Sequence, residues 1–393
     1  MRRVVVFTKL FWPEGSGSGL ATYLIAKNIL SKYFDVIIVA GTRNPVPDIL
    51  KSCKYIYWGA LSSKFKPFEQ LKILASFNTI RKIVEGADAV YIPFHTLLPL
   101  AIAVKAIKPS IRVVLHLHNY QPLTFTSVVL AGGKPDIATD VFVELKENRS
   151  LLRAIASGFG HYINIINRIA LLYADKIICV SRRQCEILEK YAPEIKGKTD
   201  VIYNPPPPMP PIEKRPSETP TFLYVGGDSY VKGFPIALWA LSKLRHSYKA
   251  YITGHVSAKW ANLINKLLGE KVALLGRIPY SDVLKLHAHA WALLFPSIWE
   301  EPLPYAVVEA LMAGTIPVAF AVGGVHEVVE NTPAERFLCS LGELECLTEK
   351  LETVVTMSPN DVVEVSLNLR EVATRKFDIN VVKKALIELL SSD

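Results

Sequence analysis

Short apolar runs alternate with longer amphipathic segments along this chain, and that alternation limits the folds it can adopt. In the first half, strand-length runs rich in β-branched residues lie at 4–8, 36–41, 89–94, 113–118 and 177–181. The second half repeats the pattern with runs at 221–227, 249–255, 271–277, 291–297 and 315–324. Such runs, separated by helix-length segments, are typical of βαβ units. We therefore predict an α/β fold whose parallel sheets are covered by helices on both faces.

A proline-rich segment separates the two halves. Eight prolines occupy the 17 positions from Asn204 to Pro220. Such a segment suits neither a helix nor the interior of a sheet, and it is typical of an extended linker. The chain of 393 residues is also longer than a single core usually supports. We predict two doubly wound domains, at 1–204 and 221–376, joined by a linker at 205–220.

The positive charge of the chain belongs to its first half. Residues 1–200 contain 27 Lys and Arg against 15 Asp and Glu, whereas the remainder contains 18 against 21. A basic half can attract an anionic membrane, phosphorylated substrates or nucleic acid, or it can be a plain lysine-rich surface. Net charge alone does not choose among these alternatives.

The cysteines and the apolar runs indicate a cytoplasmic protein. Five cysteines are scattered without a C-x-x-C pair, so we expect neither a disulfide framework nor a zinc site. The apolar run near the amino terminus is only strand-length, which does not fit a signal peptide. Apolar stretches are interrupted well before the roughly 18 residues that a membrane span needs.

Two acidic residues, Glu301 and Glu309, lie eight positions apart in EEPLPYAVVEA. Pro302 and Pro304 exclude a continuous helix between them but suit a helix entrance, and Gly314 is a natural stop. Glu301 should therefore lie in a loop and Glu309 about one turn inside a helix. The start of a helix favours anions, and the acids can accept hydrogen bonds from hydroxyls, as a sugar nucleotide would require. Two exposed glutamates are the structural alternative.

Glycine-rich turns follow the first strand of each half. Gly227 lies in VGGDSYVKG, which ends near Lys232 at the start of a helix. Glycine lets the backbone approach a ligand and the lysine supplies a positive charge for phosphate, although a plain turn explains both equally well. Gly17 lies in EGSGSG, between the first strand and the first helix. Neither turn matches the Walker A or dinucleotide pattern.

Histidines mark the ends of two predicted strands. His118 ends VVLHLH, and His116 lies two residues deeper on the same face. We expect His116 to be a core residue and His118 to face the crevice at the carboxyl ends of the strands, with His95 a weaker candidate. No third ligand accompanies the H-x-H pair, and the chain contains no D-x-D motif. We therefore predict no metal.

Residues 296–329 resemble the donor-binding signature of retaining glycosyltransferases of family 4, the group 1 glycosyl transferases. The matching motifs are E-x7-E, G-x-P-V and GG-x-x-E. EGSGSG, LHNY, ADKIICVS, YNP and LLGRIP follow the order expected in the family. The similarity covers nearly all of the second half and scattered positions of the first. It implies the GT-B fold, in which two Rossmann-like doubly wound parallel-sheet domains face a central cleft.

The resemblance also implies roles for individual residues. Glu309 would bind the ribose hydroxyls of the nucleotide and Glu301 would contact the donor sugar. Lys232 would bind the diphosphate, and the turn at Gly17 would approach it from the other domain. His118 would lie beside the transferred sugar, so that His118, Glu301 and Lys232 form the expected catalytic group.

Other parts of the donor site follow from the same resemblance. The backbone around Arg277 and Ile278 would meet the base. The last helix, at about 377–393, would cross back and pack on the first domain. No cofactor is implied, because the nucleotide sugar is a co-substrate and the family signature needs no metal.

Two positions depart from the family pattern. The family usually has an arginine at the position of Gly227, so its charge would come from Arg277 or from the first domain, or else donor binding would be weakened. The family usually has glycine at the position of Pro304. Proline removes an amide donor near the sugar and leaves the amides of Leu303 and Tyr305.

The resemblance implies a hexosyltransferase that retains the anomeric configuration. The donor would be a UDP- or GDP-linked sugar, and the basic first half favours a lipid-linked or membrane-presented glycan as the acceptor. We expect a cytoplasmic protein, with peripheral attachment to the inner face of the membrane as the location that the charge favours. The alternatives are a GT-B sugar-nucleotide epimerase or hydrolase and, from charge alone, a nucleic-acid binder. We expect no nucleic-acid partner.

Overall fold

The computed structural model describes residues 1–15, 17–63, 66–210 and 212–391. In that part of the chain, thirteen strands form two sheets in which every pair is parallel. The first sheet contains β1 (Arg3–Thr8), β2 (Asp35–Ala40), β3 (Lys54–Tyr57), β4 (Ala89–Ile92), β5 (Arg112–Leu117), β6 (Lys176–Cys179) and β7 (Thr199–Val201). The second contains β8 (Thr221–Val225), β9 (Lys249–Thr253), β10 (Val272–Gly276), β11 (Ala292–Phe295), β12 (Ile316–Phe320) and β13 (Leu338–Cys339).

Helices connect the strands of each sheet. Those of the first half are α1 (Gly17–Ile25), α2 (Ser31–Tyr33), α3 (Lys66–Ala75), α4 (Phe77–Val84), α5 (Leu100–Ile107), α6 (Ile137–Asn148), α7 (Leu151–Ile163), α8 (Ile165–Leu172) and α9 (Arg182–Tyr191). Those of the second half are α10 (Phe234–Lys243), α11 (Ala258–Leu267), α12 (Tyr280–His289), α13 (Tyr305–Ala313), α14 (Val325–Val329), α15 (Leu344–Val355), α16 (Pro359–Lys376) and α17 (Ile379–Ser391).

The strand order of both sheets is doubly wound. It runs β3-β2-β1-β4-β5-β6-β7 in the first sheet and β10-β9-β8-β11-β12-β13 in the second. Central strands such as β4 are buried along their whole length, because helices cover both faces. The predicted α/β class with two parallel-sheet, Rossmann-like domains is confirmed. In each sheet the first strand lies beside the point where the order reverses, so ligand-binding residues are expected at the carboxyl ends there.

The proline-rich segment is attached to the second domain. The side chain of Lys214 is buried and donates hydrogen bonds to the carbonyl oxygens of His287 at 2.8 Å and Ala290 at 2.5 Å. It also donates to Thr315 Oγ1 at 3.0 Å. Burial lowers the pKa of Lys214 to about 7. The segment is therefore a packed strap at this residue and not a free spacer.

The last helix crosses back to the first sheet. Four apolar residues on one face of α17 join the core that contains the strands β1 and β2, namely Val382, Leu386, Leu389 and Leu390. Residue 211 of the predicted linker and residues 392–393 of the predicted terminal helix lie outside the described part of the chain. Within the described part, no helix is both long and apolar enough to cross a bilayer.

One cysteine pair corrects an expectation from the sequence. Cys339 and Cys346 form a disulfide, with their Cα atoms 5.9 Å apart. Their spacing matches no recognised motif, so the sequence did not predict the pair. They meet because Cys339 ends β13 and the chain turns directly into α15, which contains Cys346. The other three cysteines are free thiols.

Candidate functional site

Glu301 lies in the loop between β11 and α13, and its carboxylate is buried, with only 3% of the residue exposed. Its Oε1 accepts hydrogen bonds from Lys232 Nζ at 2.6 Å, Ser297 Oγ at 2.8 Å and Trp299 Nε1 at 2.5 Å. Three donors on one oxygen hold the carboxylate in a single orientation. The structure thus provides a negatively charged group at the carboxyl edge of the second sheet.

Two glycines allow a second loop to pack against the Glu301 loop. The amide of Gly324 donates to the carbonyl oxygen of Glu301 at 2.6 Å. Gly323 has a φ of 53°, and a Cβ atom there would lie 2.2 Å from the same oxygen. No larger residue fits at this close approach. The pair of glycines in GG-x-x-E is therefore needed to position Glu301.

Lys232 follows β8 and reaches over the aromatic rings at the end of β11. Its ammonium lies 5.6 Å from the centre of the Phe295 ring and 5.3 Å from that of Trp299. The next residue, Gly233, has a φ of 74°, and a Cβ atom there would lie 1.8 Å from the carbonyl oxygen of Pro296. This contact places Lys232 beside Glu301, so the two predicted residues form one ion pair.

Glu309 lies inside α13, the helix that starts after Pro304 and ends at Gly314. The prediction of one acid in a loop and one in a helix is confirmed. Glu309 is 6% exposed, and its Oε1 accepts a hydrogen bond from Tyr280 Oη at 2.7 Å. Burial raises the pKa of Glu309 to about 7, although the Tyr280 bond opposes the shift. The alternative of two exposed glutamates is wrong.

Aromatic residues of the second domain touch the first domain and the start of the linker over this site. The ring of Trp12 contacts that of Tyr280 edge to face, with the centres 6.3 Å apart. Tyr305 donates a hydrogen bond to the carbonyl oxygen of Pro205 at 2.8 Å. A Cβ atom on Gly17 would lie 2.9 Å from the ring of Tyr305. The cleft is closed at this point by close contacts.

His118 lies directly after β5 and is partly buried. Its Nδ1 is 3.4 Å from Asn204 Nδ2, and its ring stacks on His116 with the centres 4.3 Å apart. Burial lowers the pKa of His118 to about 4, so the ring is neutral at pH 7. His116 is a buried core residue, as predicted, and its Nδ1 lies 2.5 Å from Tyr91 Oη. His95 begins a short 3-10 turn after β4.

The backbone around Gly227 leaves no room for a side chain. Its φ is 60°, and a Cβ atom would lie 2.4 Å from the carbonyl oxygen of His255. Arg277 follows β10 and is exposed, and Ile278 beside it is half-buried. Strand β10 lies two strands away from β8, a separation of about 10 Å. The backbone at Gly227 therefore leaves no room for the arginine that the family usually has at this position.

Comparison with known proteins assigns both halves of the chain. Residues 15–206 match the family described as Glycosyltransferase Family 4, and residues 208–372 match Glycosyl transferases group 1. The chain belongs to glycosyltransferase family 4. Its two facing Rossmann-like domains form the GT-B fold, as the sequence predicted.

Curated relatives of this glycosyltransferase carry little functional information. An uncharacterized 42.6 kDa protein from the cps region of Klebsiella pneumoniae is 22% identical over 369 residues, which cover 89% of this chain and 93% of the relative. An uncharacterized glycosyltransferase of Methanocaldococcus jannaschii is 33% identical over 116 residues, which cover 28% of this chain and 29% of the relative.

Solved structures show the same fold over the whole glycosyltransferase. Sucrose-phosphate synthase from Thermosynechococcus elongatus superposes with a TM-score of 0.76 at 15% identity, covering 99% of this chain and 98% of that one. HepE of Anabaena, in complex with UDP-glucose, superposes with a TM-score of 0.69 at 19% identity, and the match covers 100% of both chains. WaaG, a glycosyltransferase involved in lipopolysaccharide biosynthesis, gives 0.69 at 18% identity and covers 99% of this chain and 100% of its own.

The predicted site residues of the glycosyltransferase fall into two sets. Lys232 and Glu301 contact each other directly, and Tyr305 and Glu309 share α13 close to them. Leu303 is half-buried against the second-domain core. Among the described residues, no hydrogen bond links His118 or Arg277 to this group, so these two stay predictions from the resemblance.

An inter-domain set of charged residues escaped the sequence analysis. The Glu327 carboxylate accepts hydrogen bonds from the amides of Arg182 at 2.9 Å and Arg183 at 2.6 Å, at the start of α9. It also accepts one from Tyr203 Oη at 3.1 Å. Glu300 pairs with the Arg183 guanidinium at 2.9 Å. The glutamate of GG-x-x-E therefore caps a helix of the other domain, and only the motif itself signals its importance.

Ser297, Trp299 and Tyr280 were also missed as partners of the two predicted glutamates. Both Ser297 and Trp299 lie within four residues of Glu301 in sequence, so their proximity could have been inferred. Tyr280 comes from another helix and gave no local signal. In the described part of the chain, no group of three or more His, Cys, Asp or Glu side chains is arranged to hold a metal ion.

Proposed function

We propose that this glycosyltransferase moves a hexose from a UDP- or GDP-linked donor to a hydroxyl acceptor and retains the anomeric configuration. The observation that carries the proposal is the contact between Lys232 and buried Glu301 next to the start of α13. A cation, a helix N-terminus and a carboxylate match the diphosphate and the hydroxyl groups of a nucleotide sugar. HepE, which shares the fold, was crystallised with UDP-glucose, and this favours UDP.

The charge that develops on the leaving group is the main demand of the reaction. As the bond between the anomeric carbon and the phosphate oxygen breaks, the diphosphate gains negative charge. An ammonium group has three N–H donors, and one of those on Lys232 is directed to Glu301. We assign the others to the diphosphate, together with the first-turn amides of α13 at Tyr305 and Ala306. Such groups act most strongly in a cleft that excludes water.

Glu301 would orient the donor sugar. All three of its hydrogen bonds reach Oε1. Its Oε2 is therefore the oxygen that we assign to a hydroxyl of the transferred sugar. A carboxylate held by three donors, one of them a lysine ammonium, is a poor nucleophile, so we do not assign it a covalent intermediate. The acceptor oxygen would instead bond to the anomeric carbon on the face from which the phosphate departs, and a phosphate oxygen would take its proton.

His118 would contact the sugar as a neutral donor. The amide of Asn204 faces His118 Nδ1, so the ring proton is assigned to Nε2. Nε2 is buried and has no partner among the described residues. A buried donor without a partner is costly, and a sugar hydroxyl would satisfy it. This arrangement supports placing His118 on the substrate side of the first domain.

The donor would need the cleft to open. The resemblance assigns the ribose to Glu309, but the Glu309 carboxylate already accepts a hydrogen bond from the Tyr280 hydroxyl. The ring of Trp12 packs against Tyr280 from the first domain. The ribose hydroxyls would replace the Tyr280 hydroxyl after the first domain moves away from Tyr280. We therefore assign the closed contacts to the resting enzyme.

Calorimetric titration with UDP-glucose and GDP-mannose tests the donor assignment. We expect one of the two to bind the wild type and neither to bind Glu309→Ala detectably, while Glu345→Ala, at an exposed position of α15, binds normally. Unchanged affinity in Glu309→Ala would refute the site. NMR analysis of a transferred product would then show the anomeric configuration, and inversion would refute retention. Release of free sugar or an epimerised donor without acceptor would favour the hydrolase or epimerase alternative.

A further inference from the structure

Helix α7 exposes its large apolar side chains and buries its small residues. Its inner face consists of Ala154, Ser157, Gly158 and Gly160, all buried. Its outer face carries Leu152, which is 81% exposed, Phe159, which is 70% exposed, and Ile155 between them. In a water-exposed helix the opposite arrangement is usual. The outer face of α7 is therefore unlike an ordinary solvated surface.

Close packing prevents α7 from turning its large residues inward. A Cβ atom on Gly160 would lie 2.7 Å from the Phe125 ring, and one on Gly158 would lie 3.1 Å from Val141 Cγ2 on α6. Only small residues fit on this inner face. The exposure of Ile155 and Phe159 is thus required by the fold and is not the result of a loose helix.

The apolar face continues onto α8. Ile165, Ile169 and Leu172 on that helix are also exposed. Together with Leu123 and Tyr162 they line a groove of about 550 Å³. We call the outer faces of α7 and α8, with this groove, the apolar face. Scattered exposed apolar residues are normal, but a continuous patch of this kind marks an interaction surface.

The charges around the apolar face favour an anionic partner. Residues 146–172 contain four basic residues, Lys146, Arg149, Arg153 and Arg168, and one acidic residue, Glu147. Arg153 forms an ion pair with Glu144, and Arg168 forms one with Glu194 at the groove. The net positive charge of this border therefore rests on Lys146 and Arg149. Glu147 is turned away to bind Ser229 and the amide of Val231 in the second domain. Two copies of this chain joined through the face would bring their basic residues together. An interfacial helix on an anionic bilayer has the combination seen here, with large apolar residues and a basic border.

We propose that the apolar face docks the enzyme on an anionic lipid bilayer. The helices would lie along the membrane surface, with Leu152, Ile155 and Phe159 among the acyl chains. Lys146 and Arg149 would lie at the level of the headgroups. None of these side chains belongs to the donor site, and binding requires no donor or acceptor.

The position of the apolar face also indicates how a lipid-linked acceptor could reach the site, an inference that rests on the proposed function. The loop that begins at His118 runs directly to Pro122 and Leu123 at the groove. A lipid-linked acceptor whose chain lies in the groove would therefore present its sugar near the carboxyl edge of the first sheet. Docking itself is measured without substrates, so its failure and the failure of sugar transfer can be distinguished.

Vesicle flotation with the full chain tests the proposal. The probes are vesicles of phosphatidylcholine with roughly one third phosphatidylglycerol, and vesicles of phosphatidylcholine alone. We expect the wild type to bind the anionic vesicles more strongly, and added salt to weaken this binding. The double variant Ile155→Ser, Phe159→Ser should reduce the partition coefficient by about 100-fold, because each side chain contributes about a factor of ten.

A matched control is available in the second domain. Leu267 and Leu367 are exposed apolar residues on α11 and α16, so Leu267→Ser, Leu367→Ser should bind vesicles like the wild type. Absence of binding by the wild type at low salt, or equal loss in both double variants, would overturn the proposal. A dimer of the wild type that the Ile155→Ser, Phe159→Ser variant dissociates, without vesicle binding, would assign the face to a second copy and also overturn it. Thermal unfolding of each variant checks that it folds.

Discussion

The two domains meet in two regions of the cleft that differ in chemistry. In one, the polar contact, Glu300 and Glu327 bind the start of α9. In the other, the aromatic contact, Trp12 meets Tyr280 and Tyr305 meets Gly17. Hydrogen bonds to backbone amides depend strongly on direction, whereas an edge-to-face ring pair contributes only about 0.5–1.5 kcal/mol beyond its buried area. From this difference we expect the cleft to open at the aromatic contact and to pivot at the polar one.

Backbone pairing strengthens the polar contact further. The amide of Ala131 donates to the carbonyl oxygen of Ile298 at 3.0 Å, and that of Glu300 donates to the carbonyl oxygen of Val129 at 2.8 Å. These bonds join a first-domain loop to the loop that contains Glu301. The loop that contains Glu301 is thus connected to the side of the cleft that we expect to move least.

The largest effect is expected at the proposed donor site. Lys232→Ala should lower kcat/KM by about 100- to 1000-fold, because the variant loses the cation assigned to the leaving diphosphate. Steady-state kinetics with the donor identified by calorimetry measures this loss. Lys285→Ala, on the exposed surface of α12, serves as the matched control. Activity of Lys232→Ala close to that of the wild type would remove the donor site from this region.

Glu327→Ala should weaken the polar contact and lower stability, with little effect on donor binding. Removal of the carboxylate leaves the amides of Arg182 and Arg183 without their acceptor, at a cost of about 2 kcal/mol in the free energy of unfolding. Urea unfolding measures the change, and Glu364→Ala, at an exposed position of α16, is the control. Donor affinity should fall much less than in Lys232→Ala. A Glu327→Ala protein as stable as the control would contradict the role of the polar contact as a pivot.

Donor affinity should depend on pH through Glu309. Burial raises the pKa of this carboxyl from 4.5 to about 7, so in the folded enzyme it is largely protonated at pH 6. If the ionised form binds the ribose, affinity should fall by up to about tenfold for each pH unit below 7 and level off above it. Stability should change in the opposite direction and decrease as pH rises from about 4.5 to 7, because the unfolded chain releases this proton first. Calorimetry and urea unfolding at several pH values check both trends.

The corresponding glutamine variant supplies the control for that pH dependence. Glu309→Gln should bind the donor weakly at every pH and should lose the decrease in stability between pH 4.5 and 7. A pH profile that is the same in Glu309→Gln and in the wild type would assign the titration to another group.

The smallest effect is expected at the aromatic contact itself. Tyr280→Phe removes the hydroxyl that occupies Glu309 and keeps the ring against Trp12. The ribose hydroxyls would then no longer compete with the Tyr280 hydroxyl for Glu309. Affinity for the nucleotide sugar should rise several-fold, in line with a hydrogen bond worth about 1 kcal/mol. Tyr251→Phe, at a half-buried position of β9, is the control. A fall in affinity would show that Tyr280 supports the donor site and does not block it.

Much of the fold could be predicted, because most of its strands have a local signal in the sequence, a short run of apolar residues. The buried strands β1, β5 and β11 are nearly continuous apolar runs that helices must cover on both sides. The short edge strands β3 and β7 were missed, since KYIY and TDV contain polar residues and only part of each is buried. The start of α13 was predicted because Pro304 excludes a continuous helix from Glu301 to Glu309. The GT-B arrangement of the two domains was predicted from the family resemblance.

The candidate site was predictable only where its residues share a local signal. Glu301 and Glu309 were found from the prolines between them, and Lys232 from the glycines around it. The bond between Tyr280 and Glu309 joins two helices through residues that are 29 positions apart in sequence. The contact of Glu327 with α9 spans 144 residues and depends on how the domains face each other. No local pattern encodes such distances.

The geometry at Gly227 also restricts how this enzyme could change. A mutation to arginine would restore the family pattern in the sequence, but the new Cβ atom would collide with the His255 carbonyl. Recovery of that cation would first need a different path for the turn after β9. A single substitution at Gly227 therefore does not suffice to place a cation there, so the phosphate charge of this enzyme is more readily adjusted through other residues.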